Sequence, residues 1–348
     1  MLIYASIFAA FAVGSLMSQR SRSFGHLGPG YYLALFITLM VVGLRWQIGP
    51  DWQAYTYVYD AAAKMDFVGA VRSHDPGFFV IAWLLATNDQ PFWALNLVMA
   101  GIFLFGLIRF ARTLPNPWLA ITVATPYLII VVGMNLVRQA AAMGFVFLAL
   151  RHLGTKPLWR SIGWALIGSL FHASAIIVAL LIGISHTKNR LVSVLVVAVS
   201  AIPMYYILFS TFDEYFQRYG DRTIDSGGVY FRLAINAVPA LMLLALRGHQ
   251  LVPPKEYAFW RNMAIISLLL IPLPFFVHST TPIDRISMYA IPLQIVVLSA
   301  YPYVISKPGH YLLNTAGVML YSAVTLFAYF AFGTHARYFL PYHWVFGA

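Results

Sequence analysis

The chain has 348 residues, 61% of them hydrophobic and only 9% charged, with a formal net charge of +11. Soluble domains carry about 25% charged residues, so a water-solvated globule is excluded, and the cations have to be read as membrane topology before any nucleic-acid partner is considered. The absence of cysteine excludes disulfides, thiol nucleophiles and Cys-ligated metal.

Apolar runs of roughly 17–25 residues between short polar breaks predict membrane helices, because barrel strands would alternate over ~10 residues. The first run, residues 1–17, lacks a basic leader and a small-residue cleavage site and is expected to be a retained helix. A second span over 30–44 ends in GLRWQIGPDWQAYTYVYD, where Arg45, a Gly49-Pro50 turn and Asp51 precede an aromatic amphipathic stretch. Asp51 either caps that stretch, or orients a hydroxyl or buttresses Arg45. Trp52, Tyr55, Tyr57 and Tyr59 fit an interfacial belt and equally a surface that stacks on sugars. GFFVIAWLLA (77–86) is too short to cross and reads as interfacial or re-entrant.

Spans over 91–110, 118–133 and 136–151 follow. The next apolar stretch, between Lys156/Arg160 and Lys188/Arg190, is too short for two crossings yet must return to its starting side. That predicts a hairpin of two half-depth helices with Phe171–Ser174 at its tip. Spans over 191–208, 232–247, 259–277, 287–304 and 312–332 bring the expectation to about ten. Half-helices are tolerated at membrane depth only beside protein or a watery cavity, so the chain is expected to enclose one.

Placing the basic loops on the cytoplasmic side puts thirteen Lys/Arg inside and nine outside, with Glu256 the one acid inside. Both termini are then outside, as are loops at about 45–76, 209–232 and 278–285, in a single integral membrane domain over 1–348.

Topology leaves four arginines unexplained at the outer ends of spans: Arg45, Arg138, Arg232 and Arg285. Each could snorkel to headgroups or pair locally, Arg285 with Asp284 and Arg45 with Asp51. Together they would suit a multiply charged anion, since guanidinium forks match phosphate oxygens bidentately; a lipid-linked pyrophosphate fits both charge and location. His172, at the hairpin tip, is either satisfied by backbone or a general acid or base. His278 is its rival in more polar company. Metal binding has little support: Asp-x-Asp and His-pair patterns are absent, and Asp213-Glu214 reads as a solvated helix start. No G-x-S-x-G elbow occurs.

The pattern GLRWQIGPDWQAY resembles the R-x-x-x-G-x-D-x-x-x-Y signature of the EpsG family, the Wzy-like polymerases of bacterial exopolysaccharide and O-antigen. DPGFF (75–79), VRQAAA (137–142), LFHASA (170–175) and DRISMY (284–289) continue the resemblance in order across most of the chain. Gly-Pro-Asp at 49–51 departs from the family's more usual Gly-Thr-Asp. The resemblance implies a GT-C-like all-helical membrane glycosyltransferase with periplasmic amphipathic helices, in the bacterial inner membrane with its active site facing the periplasm. The implied reaction moves a glycan from one undecaprenyl-type polyprenyl pyrophosphate to a sugar hydroxyl of a second lipid-linked oligosaccharide. Lipid-linked oligosaccharides and the bilayer are then the partners, a chain-length regulator is a further candidate, and nucleic acid, metal and cofactor are not expected. The implied assignment puts Arg138 and Arg285 on the pyrophosphate, with Arg45 and Arg232 in support. His172 is the base and Asp51 its competitor, while Tyr55, Gln139, His278, Asp284 and Tyr289 contact or support the sugar. A ligase using another acceptor, or a lipid-linked sugar transporter, would want a similar cationic cavity.

Overall fold

The computed structural model describes residues 1–18, 27–186, 228–246, 248–277, 279–304, 306–307 and 309–347. The expected span 191–208, most of the 209–232 loop and His278 lie outside the described residues. Every element described is helical, apart from one isolated bridge between Arg45 and Trp344. In chain order the helices are α1 (Leu2–Met17), α2 (Pro29–Gly43), α3 (Trp52–Ala62), α4 (Phe67–Arg72), α5 (Pro76–Thr87), α6 (Phe92–Ala111), α7 (Pro117–Asn135), α8 (Val137–Arg151), α9 (Leu158–Ser169) and α10 (Ile176–His186). They continue with α11 (Val229–Ala245), α12 (Tyr257–Leu269), α13 (Thr281–Met288), α14 (Ile291–Val304) and α15 (Tyr311–Phe332).

Local chemistry sets several starts. Pro29, Pro76 and Pro117 occupy the first turns of α2, α5 and α7, where the missing N–H costs nothing. Asn116 accepts the Leu119 N–H and Asp66 the Gly69 N–H, closing the first turns of α7 and α4.

Among the described residues, five helices are long and apolar enough to cross a membrane: Phe92–Ala111, Pro117–Asn135, Tyr257–Phe275, Thr281–Val304 and Tyr311–Phe332. Five of the ten expected spans are matched by helices of this length and composition. The stretches 1–17, 30–44 and 232–247 form shorter apolar helices, and 136–151 forms a 15-residue helix that carries Arg138, Gln139 and Arg151. α7 and Thr281–Val304 are central, each 89% buried over its most apolar window, whereas Tyr311–Phe332 is only 28% buried and turns an apolar face outward.

α6 and α8 run side by side through paired glycines. A Cβ on Gly106 would sit 1.9 Å from the Gly144 carbonyl oxygen, and one on Gly144 2.5 Å from that of Ile102. The two helices are parallel, since Arg109 and Arg112 at the end of α6 bear electrostatically on Arg151 at the end of α8. Arg138 and Arg151 therefore mark opposite ends of the bundle, roughly 20 Å apart at about 1.5 Å per residue.

The hairpin is present as α9 and α10, of 12 and 11 residues, joined by a tight turn at Ala173–Ala175. Its tip docks on the start of α5: the Gly77 N–H donates to the Leu170 carbonyl at 2.7 Å, and a Cβ on Gly77 would lie 2.8 Å from the Phe171 ring. At the same end the C-terminal tail straps the lip after α2. Trp46 N–H donates to the His343 carbonyl, Gly49 N–H to that of Tyr338, and the Tyr342 hydroxyl to that of Val41.

At the Arg151 end, the Trp260 indole N–H donates to Glu256 at 3.0 Å, and burial pushes the Glu256 carboxyl up to about 7. A carboxyl whose pKa rises on folding makes the native state bind more protons than the unfolded one. Stability therefore falls as pH rises from the ordinary value of 4.5 to about 7. Glu256→Gln is expected to raise the melting temperature of detergent-solubilised protein at about pH 8, by ~1–3 kcal/mol of stability, and to leave it unchanged near pH 4.5; tryptophan-fluorescence melts at both pH values check this.

Candidate functional site

Three of the sequence motifs converge at the Arg138 end. Arg138, in the first turn of α8, donates from Nη1 to Asp75 Oδ2 at 2.7 Å and lies 2.5 Å from His74 Nε2. Its guanidinium stacks over Tyr55 and Phe78, at 5.8 and 5.9 Å from their ring centres. The Asp75 carboxylate also lies beside the Ala173 N–H, so one carboxylate bridges the arginine helix and the hairpin tip. Burial pushes Asp75 above the usual carboxylate range, against the pull of Arg138 and His74. Tyr55 is buried under Arg138, while Tyr57 faces outward.

Arg285 enters from α13. Its backbone carbonyl accepts from Gln139 Nε2 at 3.1 Å, and its half-buried guanidinium makes no hydrogen bond or ion pair among the described residues. Tyr289, one turn further on, lies with its hydroxyl 3.2 Å from Ser174 Oγ. His172 sits beside it: Nδ1 accepts the Ser174 N–H at 3.4 Å and lies 2.9 Å from Ser174 Oγ. An N–H can only donate, so this network assigns the ring proton to Nε2. His172 thus presents a donor at Nε2, and its lone pair is engaged by the turn it caps.

Asp51 stands at the start of α3 but does not cap it through its side chain. Instead Asp51 N–H donates to Asn135 Oδ1 at 2.9 Å, and Asn135 Nδ2 returns a bond to Asp51 Oδ2 at 3.1 Å. Gly49 makes this docking possible. Its φ of +99° is open to glycine, and a Cβ there would lie 3.0 Å from both Asn135 Oδ1 and the Met134 carbonyl. Burial pushes the Asp51 carboxyl up, opposed by the Asn135 bond and then by His335, Arg138 and Arg285. The charges that reach His172 are Arg285, Arg138 and His74. Arg138, Arg285, Asp51 and His172 therefore share one site.

Of the four arginines expected together, Arg45 and Arg232 are engaged by groups of the protein itself. Arg45 is 2% exposed under the tail; it donates to the Val42 carbonyl at 2.6 Å and to Asn96 Oδ1 at 3.2 Å, and stacks over Trp52. It does not pair with Asp51. Arg232 forms an ion pair with Asp284, donates to the Asp284 carbonyl at 3.0 Å and from Nε to the Tyr127 hydroxyl at 2.8 Å. Asp284 is thus the counter-ion of Arg232 rather than of its neighbour Arg285. The terminal nitrogens of Arg45 and the Arg232 guanidinium thus donate to groups of the protein.

Asp75, His74, Asn135, Ser174 and His335 were not singled out from sequence. Asp75 and Ser174 carried a signal, standing in DPGFF and LFHASA, stretches already matched to motifs. Among the described residues no group of three or more His, Asp or Glu side chains is placed to hold a metal ion.

The fold and site define a polytopic helical membrane protein with a cationic, partly buried cluster of side chains at one end of its bundle. The sequence profile of the EpsG family matches residues 31–344, nearly the whole chain, and the chain belongs to that family. It is accordingly a membrane protein of the exopolysaccharide-polymerase, glycosyltransferase-like type. No curated protein and no solved structure matches it.

Proposed function

We propose that the protein polymerises lipid-linked oligosaccharide repeats, moving a growing glycan from one polyprenyl pyrophosphate to a sugar hydroxyl of a second, at the periplasmic face of a bacterial inner membrane. The observation that carries this reading is the half-buried, uncommitted Arg285 guanidinium, which with Arg138 lies within electrostatic reach of both Asp51 and His172. A pyrophosphate is a good leaving group, so the main demand is to stabilise the charge that develops as the glycosidic bond breaks. Preorganised guanidiniums do this in a low-dielectric pocket without a metal. In this reading Arg285 takes phosphate oxygens directly, and Arg138 contributes charge from its clamp on Asp75. His172 Nε2–H donates to the same oxygens. Asp51 accepts the acceptor hydroxyl's proton, a role its raised pKa favours. A GT-C-like arrangement belongs to the same proposal.

Purified protein incubated with a synthetic polyprenyl-pyrophosphate repeat is expected to yield a ladder of oligomers that persists in chelator. Transfer confined to a different acceptor would replace this reading with a ligase. Asp51→Asn is expected to slow ladder formation by about 10²-fold. The base acts ionised, so the wild-type rate should rise with pH through a limb displaced above the ordinary carboxylate range, and the variant should lack that limb. A limb retained in Asp51→Asn would move the base elsewhere.

A further inference from the structure

A cavity of about 460 Å³ opens at the other end of the bundle, where α6 and α8 finish. Its volume falls in the ~300–1,000 Å³ range of small-ligand pockets. Phe110, Leu150, Trp260 and Val296 line it with apolar surface, and Arg151 and Glu256 line it with opposite charges. The pair does not neutralise itself: among the described residues Glu256 has the Trp260 indole as its hydrogen-bond partner and no cation within ion-pair distance. Arg151 has no acid within ion-pair distance among the described residues and lies within the fields of Arg109 and Arg112. Among the described residues, one wall therefore holds a carboxylate that lacks a cation, and another the Arg151 guanidinium, which lacks an anion. The polymerase site does not account for either, lying roughly 20 Å away along α8.

The ligand that completes both walls carries an ammonium and a phosphate on one short frame. An ammonium suits a carboxylate already oriented by an indole, beside an aromatic face that attracts cations. A phosphate suits the guanidinium fork of Arg151. We propose that this cavity binds a phosphoethanolamine group, with the amine at Glu256 and Trp260 and the phosphate at Arg151. The group could arrive as a phospholipid headgroup or as the free phosphomonoester, and the two sources are separable. Pairing with an ammonium would also relieve the cost that burial imposes on the Glu256 carboxylate.

The test uses the full chain in nanodiscs of phosphatidylcholine doped with equal fractions of phosphatidylethanolamine or phosphatidylglycerol, reading melting temperature and lipid retained in native mass spectra. Phosphatidylglycerol keeps the phosphate without the ammonium, and phosphatidylcholine carries a quaternary cation with no N–H. Phosphatidylethanolamine should stabilise the protein most and be retained preferentially. Glu256→Gln should remove that preference, weakening retention roughly tenfold, while its own melt in detergent reports whether it is folded. Arg151→Ala should weaken both phosphatidylethanolamine and phosphatidylglycerol. In a second arm, soluble phosphoethanolamine is titrated against detergent-solubilised protein; saturable binding there without a lipid preference assigns the free compound as the source. Equal effects of all three lipids together with no binding of the soluble compound, or a phosphatidylethanolamine preference that survives Glu256→Gln, would overturn the assignment.

Discussion

Arg285→Lys is expected to slow ladder formation by about 10²–10³-fold while shifting unfolding by no more than about 0.5 kcal/mol. The asymmetry follows from where the side chain stands. Its helix is held by backbone contacts, the Arg285 carbonyl to Gln139 and the Asp284 carbonyl to Arg232 and Ser287, whereas its guanidinium contributes no bond to the fold among the described residues. Lysine keeps the charge and loses the planar fork, so the loss isolates bidentate recognition of phosphate. Arg138→Lys should behave differently, reducing rate and stability together. It would loosen the bond to Asp75, and with it the tie between α8 and the hairpin tip. Initial rates on a synthetic lipid-linked repeat, paired with thermal melts of the same samples, separate the two patterns. A full rate in Arg285→Lys would remove the pyrophosphate contact from this residue.

The hairpin tip and the convergence of Arg138 with His172 were legible in the sequence because local constraints dictate them. A run too short for two crossings between basic flanks can only fold back, and its tip then has to reach the end of the bundle where Arg138 begins its helix. The number of spans was not legible in the same way. Apolar composition reports what faces lipid or core, and α8, packed against the site, carries polar residues that shorten its apolar run. Ion pairing was the least legible. Asp284 sits next to Arg285 in sequence, yet adjacent helical positions point in different directions, and the carboxylate meets Arg232 from α11 instead. The surroundings of Arg45 were hidden for a related reason. The strap that buries it arrives from a tail about 300 residues downstream, with the Tyr342 hydroxyl on the Val41 carbonyl, and no local pattern around GLRWQIG announces that cover. The tautomer of His172 likewise depends on the Ser174 N–H, which only the turn geometry brings to Nδ1.

Asp284→Ala is expected to destabilise the protein by about 3–5 kcal/mol, because it leaves the Arg232 guanidinium buried without its counter-charge. That loss alone says nothing about whether Arg232 also touches substrate, since an unfolded enzyme is inactive for any reason. The discriminating variant removes the whole cluster at once: Arg232→Met with Asp284→Leu and Tyr127→Phe. Replacing a buried ion pair by apolar side chains of similar volume is often neutral or stabilising. The tyrosine must change with it, since its hydroxyl would otherwise lose the Arg232 donors that bind it. The Asp284 carbonyl stays satisfied through Ser287 Oγ, which donates to it at 2.8 Å. If Arg232 only holds α13 in place, the triple variant should recover the wild-type melting temperature and form ladders within about tenfold of the wild-type rate, the ordinary scale of a small repacking effect near a site. A variant that melts normally but forms no ladder would return Arg232 to the pyrophosphate, and with it the four-arginine site that the present geometry divides.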